Sequence, residues 1–337
     1  MAFLFKRNPK TPFELIKTLN DSLLKLDYND KKIQDDCTRY LKQLRIILHG
    51  EDDIEPQQDQ IYNISQEIFQ QDCLYHLIIN LLKLDFDSRK DVFIIFSVLL
   101  RRNKEQQNQP PPPIVNYLLN SQPEILLILL RGPETHEIGI ISGQILRECI
   151  KYETINKFIL YNSLFWNFFN YVQIPIFELA TDAMMTLNDL LTIHRKQVSE
   201  FLNDNYDKFV TTINNLIDSE NYVTKRQSVK LLNDLNSSRA NSKFINKYYD
   251  DTVNLKKTMR LLSENSKNLQ LEGFHILKFF MANPKRSQKI NDLLIKNKIN
   301  FLIFLKNFDV ESFHDPTLTD EKDFVLQEIE RLPDRKE

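Results

Sequence analysis

Ser219-Glu220-Asn221 and Ser263-Glu264-Asn265 are two copies of one tripeptide, 44 residues apart, and each precedes a stretch in which apolar residues recur every three or four positions. That recurrence places the apolar side chains on one stripe of an α-helix. A spacing of 44 falls within the roughly 40 to 47 residues of armadillo and HEAT repeats. Leu187, Leu232 and Leu277 advance by 45 at each step and read as equivalent positions of three successive repeats.

The same alternation of polar break and apolar helix extends toward the N-terminus through breaks at 85–88, 131–135 and 173–175, giving five to six repeats. One helix pair cannot bury its apolar face alone, whereas stacked neighbours share a continuous core. The expectation is therefore an all-α fold, a single armadillo/HEAT-type solenoid over residues 1–337 whose concave face is the default binding surface. Residues 1–60 are expected to supply N-terminal capping helices. At the other end a polar linker, 310–319, is expected before a C-terminal capping helix, 320–333. Residues 103–113 hold Gln106, Gln107, Gln109 and the prolines Pro110 to Pro113, which deny a helix its amide donors. They read as an exposed, polyproline-like loop; a docking motif for a proline-reading domain would need basic or aromatic flanks that are missing.

Composition excludes several function classes. The chain has five glycines in 337 residues, none in a G-x-G-x-x-G or P-loop frame, so no cradle for nucleotide phosphates is expected. Its net charge is -2, which gives no global field toward nucleic acid or anionic lipid. Cys37, Cys73 and Cys149 lie far apart in apolar helical patterns and fit reduced core thiols. There is no signal-peptide or membrane-spanning run, so the cytoplasm is expected and membrane insertion is not. The six histidines show no metal-ligand spacing. His275, beside Phe274, is read as a structurally satisfied residue, with a groove role as its alternative. Glu51, Asp52, Asp53 and Glu55 lack the frame of a calcium loop. Trp166 with Phe165, Phe168 and Phe169 is read as core. No catalytic residue, metal or cofactor is expected, and an enzyme is the least supported class.

One constellation points toward binding. Within Lys225-Arg226-Gln227-Ser228-Val229-Lys230, helical geometry puts Arg226 and Lys230 one turn apart on the same face. A solvated helix face is the ordinary outcome for such charges. Repeat geometry brings equivalent helices to one surface, and Lys267, Lys278 and Lys296 recur in the following segments. A basic groove beside Met259 would suit a peptide combining an acidic residue with aromatic anchors. It suits bare nucleic acid less well.

Longer runs carry a family likeness: Lys90-Asp91-Val92 through Leu99-Leu100-Arg101-Arg102, Leu146-Arg147-Glu148-Cys149-Ile150, Glu220-Asn221-Tyr222-Val223-Thr224-Lys225-Arg226-Gln227-Ser228, Ala282-Asn283-Pro284 and the opening Lys10-Thr11-Pro12. Together they resemble the kinase-scaffold family called mouse protein twenty-five, or calcium-binding protein thirty-nine, over nearly the whole chain. The Gln/Pro segment points to a fungal member that serves a morphogenesis kinase network, at sites of polarised growth.

The resemblance implies a six-repeat solenoid, monomeric on its own, whose concave face grips a sterile-twenty-like kinase or pseudokinase in a closed, active-like state. It also implies a pocket for a Trp-Glu-Phe-type C-terminal peptide of the partner, carried onto Arg226, Lys230, Met259 and Lys296. Phe177 and Arg239 are further implied contacts to the kinase. The chain departs from the family pattern at Arg239-Ala240-Asn241-Ser242, where animal members have Arg-His-Asn-Phe. Scaffolding would act by binding only the closed kinase and shifting its population. The competing class is a solenoid adaptor for another peptide or for RNA.

Overall fold

The computed structural model describes residues 11–27, 30–51, 55–101 and 110–334. Among these the regular elements are all helical, with no strand, as the three-to-four-residue apolar spacing requires. The chain divides into two compact units, Met1–His194 and Arg195–Glu337.

In the first unit the α-helices are α1 (Pro12–Leu24), α2 (Lys31–His49), α3 (Gln58–Gln70), α4 (Cys73–Ile79), α5 (Phe86–Leu100), α6 (Pro113–Asn116), α7 (Glu124–Leu130), α8 (His136–Cys149), α9 (Glu153–Leu160), α10 (Phe168–Tyr171) and α11 (Phe177–Thr192). Here α2, α5, α8 and α11 stack side by side in that order. Behind them α4 packs on α7, and α7 on α8. The second unit holds α12 (Arg195–Asp204), α13 (Tyr206–Ile217), α14 (Tyr222–Ser237), α15 (Ser242–Tyr248), α16 (Thr252–Leu262), α17 (Lys267–Ala282), α18 (Gln288–Lys296), α19 (Lys298–Asn307) and α20 (Pro316–Glu330). Its row is α14, α17 and α20, with α13 behind α14 and α16 behind α17. Each unit is thus a stack of helical repeats, two layers deep.

Leu187, Leu232 and Leu277 are fully buried in α11, α14 and α17, so the step of 45 is the structural repeat. The tripeptide copies are one residue out of that register. Asn221 is the N-cap of α14 and accepts hydrogen bonds from the amides of Val223 and Thr224 at 2.9 and 3.2 Å. The N-cap of α17 is Ser266, one residue beyond the second copy, and it accepts from Leu269 at 3.4 Å. Both caps satisfy amides that the first helical turn leaves without partners.

Two of the scarce glycines sit where helices touch. A Cβ on Gly273 would come within 2.9 Å of Leu261 Cβ, where α17 meets α16. A Cβ on Gly143 would come within 1.9 Å of Asp182 Oδ2. There α8 meets α11, and Arg147 reaches across to Asp182 at 2.6 Å and Thr186 at 2.7 Å.

Cys37, Cys73 and Cys149 are buried, and burial pushes the Cys37 thiol up to about 11 and the Cys73 thiol to about 12. These are inert core thiols. Phe165, Phe168 and Phe169 are buried too, and Trp166 stacks on Phe169 at 5.8 Å. Glu51 is held by Arg45 at 2.7 Å and Lys42 at 3.5 Å, while Asp52 and Asp53 lie outside the described residues.

The closing helix corrects one expectation. It begins at Pro316, inside the segment 310–319 expected as a linker, and ends at Glu330. Proline is tolerated in the first turn, where no amide donor is needed, and Asp315 caps the helix by accepting from Thr317. Of the expected capping segment 1–60, residues 1–10 lie outside the described residues, and α1, α2 and the start of α3 represent the rest. Thr11 caps α1. Of the Gln/Pro segment, residues 103–109 lie outside the described residues. Pro110 to Pro112 are non-helical, and Pro113 opens α6. On its upstream side the Tyr152 hydroxyl donates to the carbonyl of Leu100, the last residue of α5.

Candidate functional site

Asn221 fixes where α14 starts and so fixes its phase. Ser228, Val229, Leu232 and Leu235 then face inward, Arg226 is half-buried and Lys230 is exposed. Arg226 and Lys230 are one turn apart, as the sequence implied. Their surroundings are not what the sequence implied.

A groove of about 770 Å³ runs between α14 and α17, and Lys230 and Arg239 both line it. Arg239 comes from a 3-10 turn, Arg239–Asn241, that follows α14. The groove also receives Asp234, Glu272, Lys278 and Glu321. Lys278 is ion-paired with Glu321 of α20. Asn233 donates to Glu272 at 2.9 Å. The α14–α17 groove is therefore charge-balanced. Lys267 does not enrich it either, being paired with Asp309 at 3.1 Å on the surface.

Burial raises the carboxyl pKa of Glu272 above the ordinary range, against the opposing pull of its Asn233 hydrogen bond and of the Arg226 and Lys230 charges. Burial likewise raises that of Asp234. His275 lines the same groove, 4.0 Å from Glu321. Burial, aided by the Lys278 charge, lowers its imidazole pKa and keeps it neutral at pH 7. Three donors in this region are orphaned: Arg226 Nε is buried and meets no acceptor among the described residues, and the buried hydroxyls of Ser228 and Ser238 likewise have no partner.

The remaining expected residues stand apart. Met259 lies on α16, half-buried, and Lys296 ends α18, exposed. Those two helices pack on each other, but neither residue lines the α14–α17 groove. Phe177 opens α11 in the first unit with 64% of its surface exposed. Ser242, at the start of α15, is exposed beside the Arg239 turn. Glu272 and Glu321 were missed from the sequence. The signal for Glu272 was a lone carboxylate within the apolar run 269–281, which in a packed helix demands a polar partner.

Among the described residues no three or more His, Cys, Asp or Glu side chains converge on a metal position. No helix among them is long and apolar enough to cross a membrane. The geometry offers surfaces for polar and aromatic contact.

Comparison with known proteins adds a lineage. The profile of the family described as Mo25-like matches residues 3–333. A Mo25-like protein of Schizosaccharomyces pombe is 38% identical over 98% of this chain and 100% of its own length. Calcium-binding protein 39-like of Mus musculus is 39% identical over 98% of this chain and 97% of its own. The conidiophore development protein hymA of Emericella nidulans is 35% identical, covering 99% of this chain and 94% of its own.

Proposed function

The chain belongs to the Mo25-like family, and from that premise we propose that it is a scaffold without chemistry of its own. It binds a sterile-twenty-like kinase or pseudokinase and holds it in its closed, active state. The observation that carries this reading is the orphaned Arg226 Nε in a helix that also presents exposed Lys230. A buried guanidinium donor without an acceptor calls for an acidic group from outside the chain. The acidic residue of a Trp-Glu-Phe-type tail peptide supplies it, with Met259 and Lys296 as the apolar and cationic contacts for the rest of that peptide. Lys230 completes that pocket, while Arg239 in the second unit and Phe177 in the first are contacts to the kinase body.

The role is in signalling for cell polarity and morphogenesis, in the cytoplasm and at sites of polarised growth. The likeness to a protein named for conidiophore development supports the morphogenetic part of that role. Activation needs only differential affinity: a scaffold that binds the closed kinase about 100-fold more tightly shifts the equilibrium by about 2.7 kcal/mol.

Two measurements test the proposal. Calorimetry of an acidic-aromatic tail peptide should show Arg226→Ala with Met259→Ala weakening binding at least tenfold, about 1.4 kcal/mol. Unchanged affinity would remove the pocket. Titrating the chain into a purified sterile-twenty-like kinase should raise its phosphorylation rate to a plateau, and a flat titration despite demonstrated binding would remove activation and leave only tethering.

A further inference from the structure

A second groove, of about 810 Å³, lies wholly within the second unit among α13, α15 and the start of α18, and shares no lining residue with the α14–α17 groove. Four exposed lysines line it: Lys247 on α15, which has a carboxylate partner, and three more, Lys243 on α15, Lys285 before α18 and Lys289 in the first turn of α18. Among the described residues none of the three has a carboxylate within ion-pair distance. The start of α18, a nine-residue helix, borders this groove through Ser287 and Lys289, and its first-turn amides carry the positive end of the helix dipole. Its N-cap, Ser287, makes no capping bond, and the buried Ser287 Oγ has no partner.

An independent observation comes from α13. Tyr206 lines the groove with only 8% of its surface exposed, and its buried hydroxyl finds no acceptor. Two orphaned hydroxyls, three unpaired ammonium groups and a helix N-terminus share one demand. Each lacks acceptor oxygens carrying negative charge.

The groove also has an acidic lip, formed by Asp207, Asp250 and Asp251, and the charges of Asp251 and Asp207 reach Tyr206. Asp251 caps α16 by accepting from Val253, and Asp207 holds Lys247 at 3.1 Å. Lys247 also lies 3.7 Å from the centre of the Tyr206 ring. Its surface ion pair is weak, so its ammonium is free to turn toward an incoming anion. A flat anionic membrane would be repelled by the three aspartates. A single phosphate on a peptide would not be, provided a basic residue of that peptide meets the acidic lip.

We propose that this groove binds a phosphorylated serine or threonine of a partner protein, in a segment that carries a basic residue near the phosphate. The phosphate oxygens accept from Ser287, Tyr206 and the α18 amides, and pair with Lys285, Lys289 and Lys243. The basic neighbour pairs with Asp250.

The test uses the full chain and an array of peptides, degenerate around a fixed central phosphoserine or phosphothreonine, beside the same array without phosphate. Expected are enrichment of phosphopeptides with flanking arginine or lysine, and a loss of roughly tenfold or more in affinity of a selected peptide on Lys285→Glu with Lys289→Glu. Tyr206→Phe should weaken binding severalfold while leaving the melting temperature unchanged or higher, because the hydroxyl it removes is unsatisfied in the free protein. Lys230→Glu, in the other groove, should leave phosphopeptide binding unchanged. The proposal is overturned by binding indifferent to phosphorylation, by an equal loss with Lys230→Glu, or by phosphoinositide vesicles that bind through Lys285 and Lys289 where phosphopeptides do not.

Discussion

Phe280 has no exposed surface, and its ring stands edge-on to that of Tyr249 at 4.6 Å. Phe280→Ala should therefore cost about 3 to 5 kcal/mol in urea unfolding, from lost burial and the cavity left behind. A loss below about 1 kcal/mol, the range of surface substitutions, would contradict its place in the core. Glu272 predicts a pH effect of definite sign. Its pKa is raised in the fold above the unfolded value of 4.5, so the folded state holds that proton more tightly than the unfolded chain does. The associated stability is fully present below 4.5 and is lost as pH rises through the folded-state value. Glu272→Gln should thus raise the urea midpoint at pH 7 and lose that advantage at pH 4; an equal gain at both would mean that ionisation is not the cause. Phe280 and the three cysteines were legible from apolar periodicity alone. The pairing of Lys278 with Glu321 was not, because it joins α17 to α20 and depends on how two repeats register in space.

Caps decide where the long helices begin, and they separate apparent from real repetition. Asn221 accepts two amides at short range, whereas Ser266 accepts one at 3.4 Å. Asn221→Ala should accordingly destabilise by about 1 kcal/mol and Ser266→Ala by less. Urea midpoints in the reverse order would contradict the capping geometry. The tripeptide at a step of 44 was the visible motif, yet the leucines at 45 carried the register, because burial is set by helix phase while polar breaks absorb a residue freely. The closing helix was misplaced for a related reason. Pro316 looks like a breaker in sequence, but after a capping aspartate it is a helix starter.

On the scale of the whole molecule, each unit is stabilised by neighbour-to-neighbour stacking of repeats, and repetition in the sequence was enough to read the architecture. The binding surfaces were only half legible. Lys230 and Arg239 converge on one groove, but two of its three carboxylates, Glu272 and Glu321, come from one and two repeats further on, and the word kinase came from family likeness alone. The tie between the Tyr152 hydroxyl and the Leu100 carbonyl has a practical consequence. It fastens the end of α5 to a residue far downstream, and Pro113 sets the start of α6 on the other side. Both anchors lie among the described residues on either side of 102–109, so lengthening the connection between them costs loop-closure entropy, about 0.6 kcal/mol per doubling. A fluorescent reporter spliced into 102–109 should shift the melting temperature by less than about 4 °C, as scanning fluorimetry would check, giving a way to label this chain without touching either groove or either terminus.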